Sequence, residues 1–273
     1  MDIPIAILTK GRSEELLTLD LLKEPLKDKQ FILFIEPDEV KQYTKHISSN
    51  VTLQPFISQS TSYGDAINKV FKYFKDKKIQ HFWLLDDDID HIYYRTVFNE
   101  EKQYWHMRDT SHEQIVSAFE ECEAKMIDND FSQLAFSYRQ TNPFFLDDWK
   151  INHSCSVMVL MNNKYVDGHA PWCTVWGDIE LSLRMIYNNH DNCICYKYAF
   201  GYPGMSKNAG GLADYYNSKK AEEETLIIVN KVISIYGPDI VKCVYKKHHG
   251  ERLAELSISW KTLEQRRHNK TLW

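Results

Sequence analysis

Residues 81–90 read HFWLLDDDID, a short apolar run that ends abruptly in carboxylates. The run is rich in aromatic residues and contains no glycine, which is typical of a buried strand in an α/β sheet. Open α/β sheets bind their ligands just beyond the carboxyl ends of the strands. Asp86, Asp87 and Asp88 are therefore predicted to lie where a ligand binds.

These adjacent carboxylates repel one another, and they stay ionised together most easily when a cation lies between them. Oxygen ligands favour a hard divalent ion such as Mg²⁺ or Mn²⁺, which commonly carries the phosphates of a substrate as well. Because side chains alternate along a strand, Asp86 and Asp88 share one side and are the first candidates for metal ligands. A solvated acidic turn that caps the next element would give the same pattern, so both interpretations remain open here.

The whole chain has the size and composition of one α/β domain with a C-terminal extension. Its 273 residues are 43% hydrophobic and 26% charged, which suffices for one sizeable core or two small ones, and we favour one. No apolar run approaches the roughly 20 residues that span a bilayer, and the N-terminus lacks the features of a signal peptide. These features predict a cytoplasmic protein without a membrane partner.

The cysteines are scattered among core-like segments and form no pair of Cys-x-x-Cys motifs. Structural zinc needs four ligands in a recognisable frame, so packing thiols in a reducing compartment explain them better. The six are Cys122, Cys155, Cys173, Cys193, Cys195 and Cys243.

The first strand and the turn after it form a candidate nucleotide site. Residues 3–8 are apolar, and the polar turn 9–12 precedes a helix that is predicted to open at Ser13. A strand, a polar turn and a helix N-terminus together bind anions, and Arg12 can pair with a phosphate or stack on a base. Because no multi-glycine loop is present, a surface Arg12 and a plain N-cap at Ser13 are equally compatible.

Further polar residues follow the next predicted elements. Residues 31–35 form a second strand, and Glu36 at its end is well placed to hydrogen-bond a ribose hydroxyl. A helix with apolar residues at helical spacing begins at Tyr63. Asn68 and Lys69 fall on or near its exposed flank, on the side of the same crevice as the acids.

The middle of the chain is predicted to hold mostly scaffold. Residues 93–107 are aromatic-rich and mixed in pattern, and we interpret them as a loop that can cover the site. Thr110-x-x-Glu113 predicts a capping box at the start of a helix. Residues 131–138 and 154–161 are predicted strands.

A turn-rich segment with two tryptophans precedes Gly177-Asp178-Ile179-Glu180. Trp172 and Trp176 can stack on a sugar ring or a base, and each offers an N–H donor. Asp178 is a candidate general base, although its spacing fits the N-cap of the following helix equally concretely. Glu180 is a second candidate, and in the first helical turn it also suits the positive end of the helix dipole.

Two later segments carry features suited to anions. After a predicted strand at 193–200, the loop 201–211 contains Lys207, Gly210 and Gly211, which let a backbone approach a diphosphate and neutralise it, although an ordinary linker is the alternative. The last thirty residues are basic and interleaved with aromatics, a pattern that suits phosphates and bases. A tail that offsets the net charge of −5 is equally compatible. His248 can supply a late metal ligand.

With these motifs in place, the chain resembles GT-A-fold glycosyltransferases, which hold a nucleotide-sugar diphosphate through a divalent metal at an Asp-x-Asp motif ending a central strand. Here that motif is similar to Asp86-Asp87-Asp88. More narrowly, the chain resembles the TET-associated or phage-type glycosyltransferases that add sugars to hydroxymethylated pyrimidines in DNA. The narrower resemblance rests on the compact size, the Lys-Asn-x-Gly-Gly loop and the basic C-terminus.

The resemblance implies a Rossmann-like α/β fold, with an open, mostly parallel twisted sheet flanked by helices. It implies a catalytic domain over residues 1–211, with a nucleotide-binding half 1–90 and an acceptor half 91–211, and an extension over 212–273. It further implies Mn²⁺ or Mg²⁺, a UDP-sugar donor and modified phage DNA as acceptor. The residues implied to contact the donor are Thr9, Arg12, Glu36, Tyr63, Asn68, Lys69, Asp86, Asp87, Lys207, Gly210 and Gly211.

Within this family resemblance, the transferred group is expected to be a hexose such as glucose. The acceptor is expected to be a hydroxymethylpyrimidine or an already glucosylated hydroxymethylcytosine. A glycan or protein acceptor stays open. Clustered acids also serve two-metal nucleases and nucleotidyltransferases, and the basic C-terminus also suits a nucleic-acid-binding module without catalysis.

Overall fold

The computed structural model describes residues 2–56, 62–166, 168, 170, 172–203, 219–248 and 251–269. Within these ranges the strands are β1 (Ile5–Leu8), β2 (Phe31–Ile35), β3 (Val51–Pro55), β4 (His81–Asp86), β5 (His91–Asn99), β6 (Tyr104–Asp109), β7 (Gln133–Tyr138), β8 (Trp149–Ile151), β9 (Met158–Asn162), β10 (Asn192–Gly201), β11 (Val241–His248) and β12 (Glu251–Ile258). The α-helices are α1 (Leu17–Leu22), α2 (Val40–Tyr43), α3 (Tyr63–Asp76), α4 (His112–Asn129), α5 (Gly177–Tyr187), α6 (Lys219–Tyr236) and α7 (Trp260–Asn269).

One large sheet organises the molecule, in the order β3-β2-β1-β4-β9-β7-β10-β5-β6, with β8 paired to the first part of β10. The pairs from β3 to β4 and the β7–β10 pair are parallel, and β9 is antiparallel to both β4 and β7. Strands β1, β4, β7 and β10 therefore run in one direction and end along one side of the sheet, the carboxyl edge. This arrangement confirms the predicted open α/β sheet, to which β9 and the β5–β6 hairpin add antiparallel pairs.

Helices cover both faces of this sheet. Leu19 of α1 and Phe119 of α4 pack on one face, whereas Ile67 of α3 and Leu181 of α5 pack on the other. The central strand β4 is buried between them because its residues alternate between the two cores. Trp83 is fully buried, and its indole N–H donates to Glu123 at 2.8 Å. The predicted buried strand that leads into the acids is thus confirmed.

Two predicted helix starts are wrong by a few residues. Helix α1 begins at Leu17 rather than at Ser13, because residues 9–16 form a turn tied to neighbouring elements, and the Ser13 carbonyl contacts the ring of His46 at 2.7 Å. The capping box of α4 uses Ser111 and Gln114. The hydroxyl of Thr110 instead donates to the carbonyl of Ile92 at 2.9 Å, which leaves Ser111 as the N-cap.

The predicted covering loop at residues 93–107 is wrong, since this segment forms the β5–β6 hairpin at the end of the sheet. Its aromatic residues are typical of strands. The strict alternation expected of a strand is broken because the pairing shifts register between Arg95 and Phe98. A bulge of this kind moves the following side chains to the opposite face of the sheet. The sequence therefore does not show the regular alternation of apolar and polar residues that is typical of a strand.

The C-terminal elements pack on the outer side of α5. Leu183 of α5, Val232 of α6 and Leu263 of α7 belong to one buried cluster. The side chain of Asn152 donates to Glu264 at 2.9 Å and ties α7 to the segment after β8. The predicted domain boundary at residue 211 lies outside the described residues. None of the described helices is long and apolar enough to cross a membrane.

Candidate active site

The acid cluster lies at the carboxyl edge, where β4 ends at Asp86 beside the last residue of β1. The hydroxyl of Tyr63, the first residue of α3, donates to the Asp86 carboxylate at 3.0 Å. The hydroxyl of Thr18 donates to the Asp86 carbonyl at 2.6 Å and accepts from the N–H of Ile89 at 2.9 Å. These hydrogen bonds fix the backbone of the turn after β4, and with it the positions of the acids.

Arg12 occupies the space between the β1 turn and the acids. Its guanidinium contacts Asp87 and lies 3.2 Å from Asp88. The hydroxyl of Tyr43 accepts from the Arg12 backbone N–H at 3.1 Å and lies 3.0 Å from the Thr9 hydroxyl. The buried Glu36 carboxylate accepts from Lys10 at 3.4 Å. Thr9, Arg12 and Glu36 thus lie just beyond the ends of the neighbouring strands β1 and β2.

Burial and neighbouring carboxylates dominate the electrostatics of Asp86. Burial together with the nearby Asp88, Asp87 and Asp178 carboxylates raises its pKa to about 8, although the hydrogen bond from Tyr63 opposes the shift. Burial also raises the pKa of Asp87, and Arg12 opposes that rise. A pKa raised in this way favours the neutral form of the Asp86 carboxyl, because burial disfavours its charged form.

The donor set fits a divalent cation that is shared with a substrate. Among the described residues there is no group of three or more His, Cys, Asp and Glu side chains arranged to hold a metal. Mg²⁺ and related ions commonly bind one or two carboxylates and take their remaining ligands from substrate phosphates and water. Asp86, the last residue of β4, and Asp88, in the turn after it, supply two carboxylates of this kind.

Asp178 approaches the acid cluster from α5. The carbonyl of Asp178 accepts from the Ser182 hydroxyl at 3.0 Å, and that hydroxyl accepts from the N–H of Cys155 at 3.0 Å, which fixes the start of α5 beside β9. Burial raises the pKa of Asp178, although backbone N–H groups at the start of the helix oppose the rise. The charge of Asp178 also raises the pKa of Tyr63 and of Asp86. The charges of Asp178 and Asp86 therefore influence each other at this edge of the sheet.

The interpretation of Asp178 as an N-cap is wrong. The N-cap of α5 is Trp176, which has a φ of 59° and forms no side-chain cap bond, so Asp178 is already inside the first turn. The left-handed backbone at Trp176 sets this start, and non-glycine residues seldom adopt it. Asp178 therefore lies within the first turn, where backbone N–H groups stabilise its carboxylate.

Glycines allow the segment before α5 to pack against α3. A Cβ on Gly64 would lie 3.3 Å from the carbonyl oxygen of Cys173. A Cβ on Gly168 would lie only 2.5 Å from the side-chain oxygen of Asn68, and the φ of Gly168 is +111°. A side chain at position 168 would push Asn68 and the segment apart. This close packing brings Asp178 to the same edge as Tyr63.

Residues 3–211 match the family model described as TET-Associated Glycosyltransferase. The chain belongs to this family. It is therefore a glycosyltransferase, and the family predicted from the sequence is confirmed. A similar solved structure is 4-diphosphocytidyl-2C-methyl-D-erythritol synthase from Anaerococcus prevotii DSM 20548, with 11% identity and a TM-score of 0.33 over 60% of this chain and 71% of that chain. No curated protein gives a significant match.

In this TET-associated glycosyltransferase, Glu180 is engaged elsewhere. Its carboxylate is 2% exposed, accepts from the Tyr236 hydroxyl at 3.1 Å and lies 3.3 Å from Arg184. Burial raises the pKa of Glu180, and Arg184 and Tyr236 oppose the rise. Glu180 thus joins α5 to α6, and the geometry favours Asp178 over Glu180 for contact with a substrate.

The other predicted contacts of the glycosyltransferase lie at several places. Lys69 pairs with Asp65 at 3.1 Å and lies 5.2 Å from the ring of Phe56. The partly buried ring of Trp172 lies 4.5 Å from the ammonium of Lys231, and Trp176 packs against the same C-terminal cluster. Lys207, Gly210 and Gly211 lie outside the described residues, as does the side chain of His248. The roles proposed for these residues stay predictions.

The sequence interpretation missed three residues of the site. Thr18 and Tyr43 shape the turns after β4 and β1, and neither has a sequence signal because each acts through contacts distant in sequence. Tyr202 follows β10 at the carboxyl edge, and its pKa is raised by burial, by Tyr138 and by the charges of Asp88 and Asp86. An aromatic residue just after a strand end is the one signal that could have found it.

The raised pKa of Asp86 predicts a pH-dependent stability in the absence of divalent cations. The folded state holds the proton more tightly than the unfolded state, whose carboxyl has a pKa near 3.8, so stability is lost as the pH rises from about 4 through about 8. Asp86→Asn cannot ionise and should match the parent at pH 4 but exceed it above pH 8, by up to about 5 kcal/mol. Urea unfolding in chelator at pH 4, 6 and 8.5 measures the difference. A stability difference between Asp86→Asn and the parent that stays constant across this range would contradict the prediction. The control is Asp76→Asn, which changes an exposed aspartate in the same way and should show no such dependence on pH.

Proposed function

We propose that the enzyme transfers a hexose, such as glucose, from a UDP-sugar to the hydroxyl of a hydroxymethylated pyrimidine in DNA, and that the reaction uses Mn²⁺ or Mg²⁺. The observation that carries the proposal is the buried Asp86 carboxyl at the end of β4, flanked by Asp88, Tyr63 and Asp178. A buried group with a pKa of about 8 and a second carboxylate beside it suits a site whose cation arrives with the donor.

The donor half is proposed to lie between the ends of β1 and β4. Glu36 suits a ribose hydroxyl, and Thr9 and Arg12 line the turn next to it. Asp87 holds the guanidinium of Arg12, so that this positive charge lies beside Asp88, where a diphosphate would lie. Asp86 and Asp88 would hold the divalent ion, which offsets the charge that develops on the departing diphosphate.

Asp178 is proposed as the general base. In this step the acceptor hydroxyl gives its proton to the Asp178 carboxylate, and its oxygen forms a bond to the anomeric carbon of the sugar. The bond from that carbon to the diphosphate breaks, and UDP leaves with the electron pair. A single displacement of this kind inverts the configuration at the anomeric carbon. A raised pKa suits the carboxylate because general-base catalysis is most efficient near the operating pH.

The decisive experiment incubates the protein with UDP-sugars, Mn²⁺ and either hydroxymethylated or plain DNA. We expect UDP release together with a hexose mass increase on the hydroxymethylated DNA alone, and we expect chelator to suppress both. Absence of UDP release and of donor hydrolysis with every donor would sink the proposal. Membership of the glycosyltransferase family already favours this chemistry over the nuclease and the non-catalytic binding module. UDP release with mass gain on a glycan or protein instead would move the acceptor away from DNA.

A further inference from the structure

A cation and two aromatic rings lie at the carboxyl edge beyond the acid cluster, and no role has been given to them. This group, the Tyr93 patch, consists of His91, Tyr93 and Arg139. The guanidinium carbon of Arg139 lies 4.4 Å from the centre of the Tyr93 ring. The ring of His91 lies 5.5 Å from the same ring at an interplanar angle of 28°. Arg139 and His91 are exposed, and Tyr93 is half-buried.

The sheet places this patch beside the acids. Strand β5 begins at His91, and the N–H of Asp90 donates to the carbonyl of Gly201 at 3.1 Å. Arg139 follows the end of β7, and its N–H donates to the carbonyl of Phe200 at 3.0 Å. The turn after β4 thus continues into β5, whose first residues lie against the ends of β7 and β10. The patch is therefore on the acceptor side of Asp86, away from the β1 turn.

The patch lies on the same face of the sheet as Asp178. Tyr93 pairs with Ala199 and is out of phase with Ile92, which belongs to the core under α1 and α4. Tyr93 therefore shares its face with α3 and α5, and α5 carries Asp178. A base whose hydroxyl reaches Asp178 would lead its neighbouring nucleotides across this face.

Gly201 allows the Tyr93 ring to approach the backbone of β10 closely. A Cβ at this position would lie 2.9 Å from the Tyr93 ring and 3.3 Å from the Asp90 carboxylate. A side chain there would displace the ring. The ring is thus held in place by the backbone of β10, which makes it a rigid surface for a flat ligand.

The charges around the patch are mixed, which limits what it can bind. Asp109 lies 3.2 Å from the His91 ring, and Asp90 lies beside Gly201. Among the described residues, no carboxylate forms an ion pair with Arg139, whose guanidinium is left to face solvent over Tyr93. One such cation next to aromatic rings suits one phosphate and the base beside it, not a broad polyanionic surface.

We infer that the Tyr93 patch binds the acceptor DNA next to the base that receives the sugar, with Arg139 on a phosphate and a neighbouring base stacked on the Arg139 guanidinium, whose other face lies over the Tyr93 ring. This inference rests on the proposed function, in which DNA is the acceptor. Bases stack on aromatic rings and on guanidinium planes, and an arginine contacts a phosphate at the same time. The patch is thus a positioning surface for the acceptor strand.

The test measures binding of a hydroxymethylated oligonucleotide by fluorescence anisotropy at several salt concentrations, and the KM for this oligonucleotide and for the donor. Arg139→Ala should weaken binding and lower the slope of log K against log salt by about 0.7–0.9, the value for one phosphate contact. Tyr93→Ala removes the ring that supports the guanidinium but keeps the charge of Arg139, so it should weaken binding by roughly 5- to 100-fold without changing that slope, since stacking carries no counterion release. Arg139→Lys should keep the slope, and Tyr93→Phe should keep the affinity.

Lys77→Ala is the matched control. Lys77 also lies over a tyrosine ring, 5.9 Å from the centre of Tyr73, but at the opposite end of α3. Lys77→Ala should leave the salt dependence of binding and both KM values unchanged. None of these variants should alter the KM for the donor. Variants that match the parent in slope and acceptor KM, in an enzyme that glycosylates DNA, would overturn the patch alone. A parent protein that hydrolyses the donor but neither binds nor modifies DNA would overturn the proposed acceptor and the patch with it.

Discussion

Asp178→Asn is expected to lower the kcat of sugar transfer by about 10²- to 10⁴-fold, the range that a general base contributes. The asparagine keeps the shape of the side chain and cannot accept the proton of the acceptor hydroxyl. Donor binding should be retained, because the donor is proposed to lie between β1 and β4. The acidic limb of the parent kcat profile should lie above pH 4, since burial raises the pKa of Asp178. Single-turnover transfer across pH 4–9 measures both quantities.

The comparison variant for Asp178 is Glu180→Gln, two residues further along α5. Glu180 bonds Tyr236 and pairs with Arg184, so this change should lower the melting temperature while most of kcat remains. If Glu180→Gln instead abolished transfer in a folded protein and Asp178→Asn left it intact, the roles assigned to these two residues would be reversed. The pair therefore decides between the two bases that the sequence proposed.

Asp88→Asn is expected to remove metal-dependent binding of UDP. Loss of a group that merely supports a metal ligand weakens affinity by roughly 10- to 100-fold, so loss of a ligand should exceed about 100-fold. Binding of UDP without metal should change little, because Arg12 keeps its contact with Asp87. Calorimetric titration of UDP in chelator and in Mn²⁺ measures the metal-independent and the metal-dependent binding separately.

Asp76→Asn provides the control for Asp88. It removes the same charge from the far end of α3, where Asp76 pairs with Lys72 in solvent at 2.7 Å. It should leave UDP binding unchanged in both conditions. Full metal-dependent binding by Asp88→Asn would place the cation elsewhere in the protein and would contradict the proposed ligand pair.

Local patterns explain how far the sequence could predict the fold. The apolar run before Asp86 identified β4, and the apolar stripe of α3 identified its buried face, since hydrophobicity and periodicity act over a few residues. The β5–β6 hairpin was missed because a register shift near Arg95 interrupts the alternation. The start of α1 was missed because contacts of the preceding turn, such as that between Ser13 and His46, come from distant residues.

The sequence by itself determined that a buried strand ends in carboxylates at a sheet edge, because burial of an apolar run is a local property, whereas the alternation predicted for Asp86 and Asp88 does not hold, since β4 ends at Asp86 and Arg12 contacts both Asp87 and Asp88. The sequence also identified the family, because the motifs of the family occur in order along the chain. Only the tertiary structure decided that the charge of Asp178 acts on Asp86 while Glu180 bonds Tyr236. Two acids two residues apart on a helix look alike in sequence, and the packing of α5 against β9 and α6 determines where each one points.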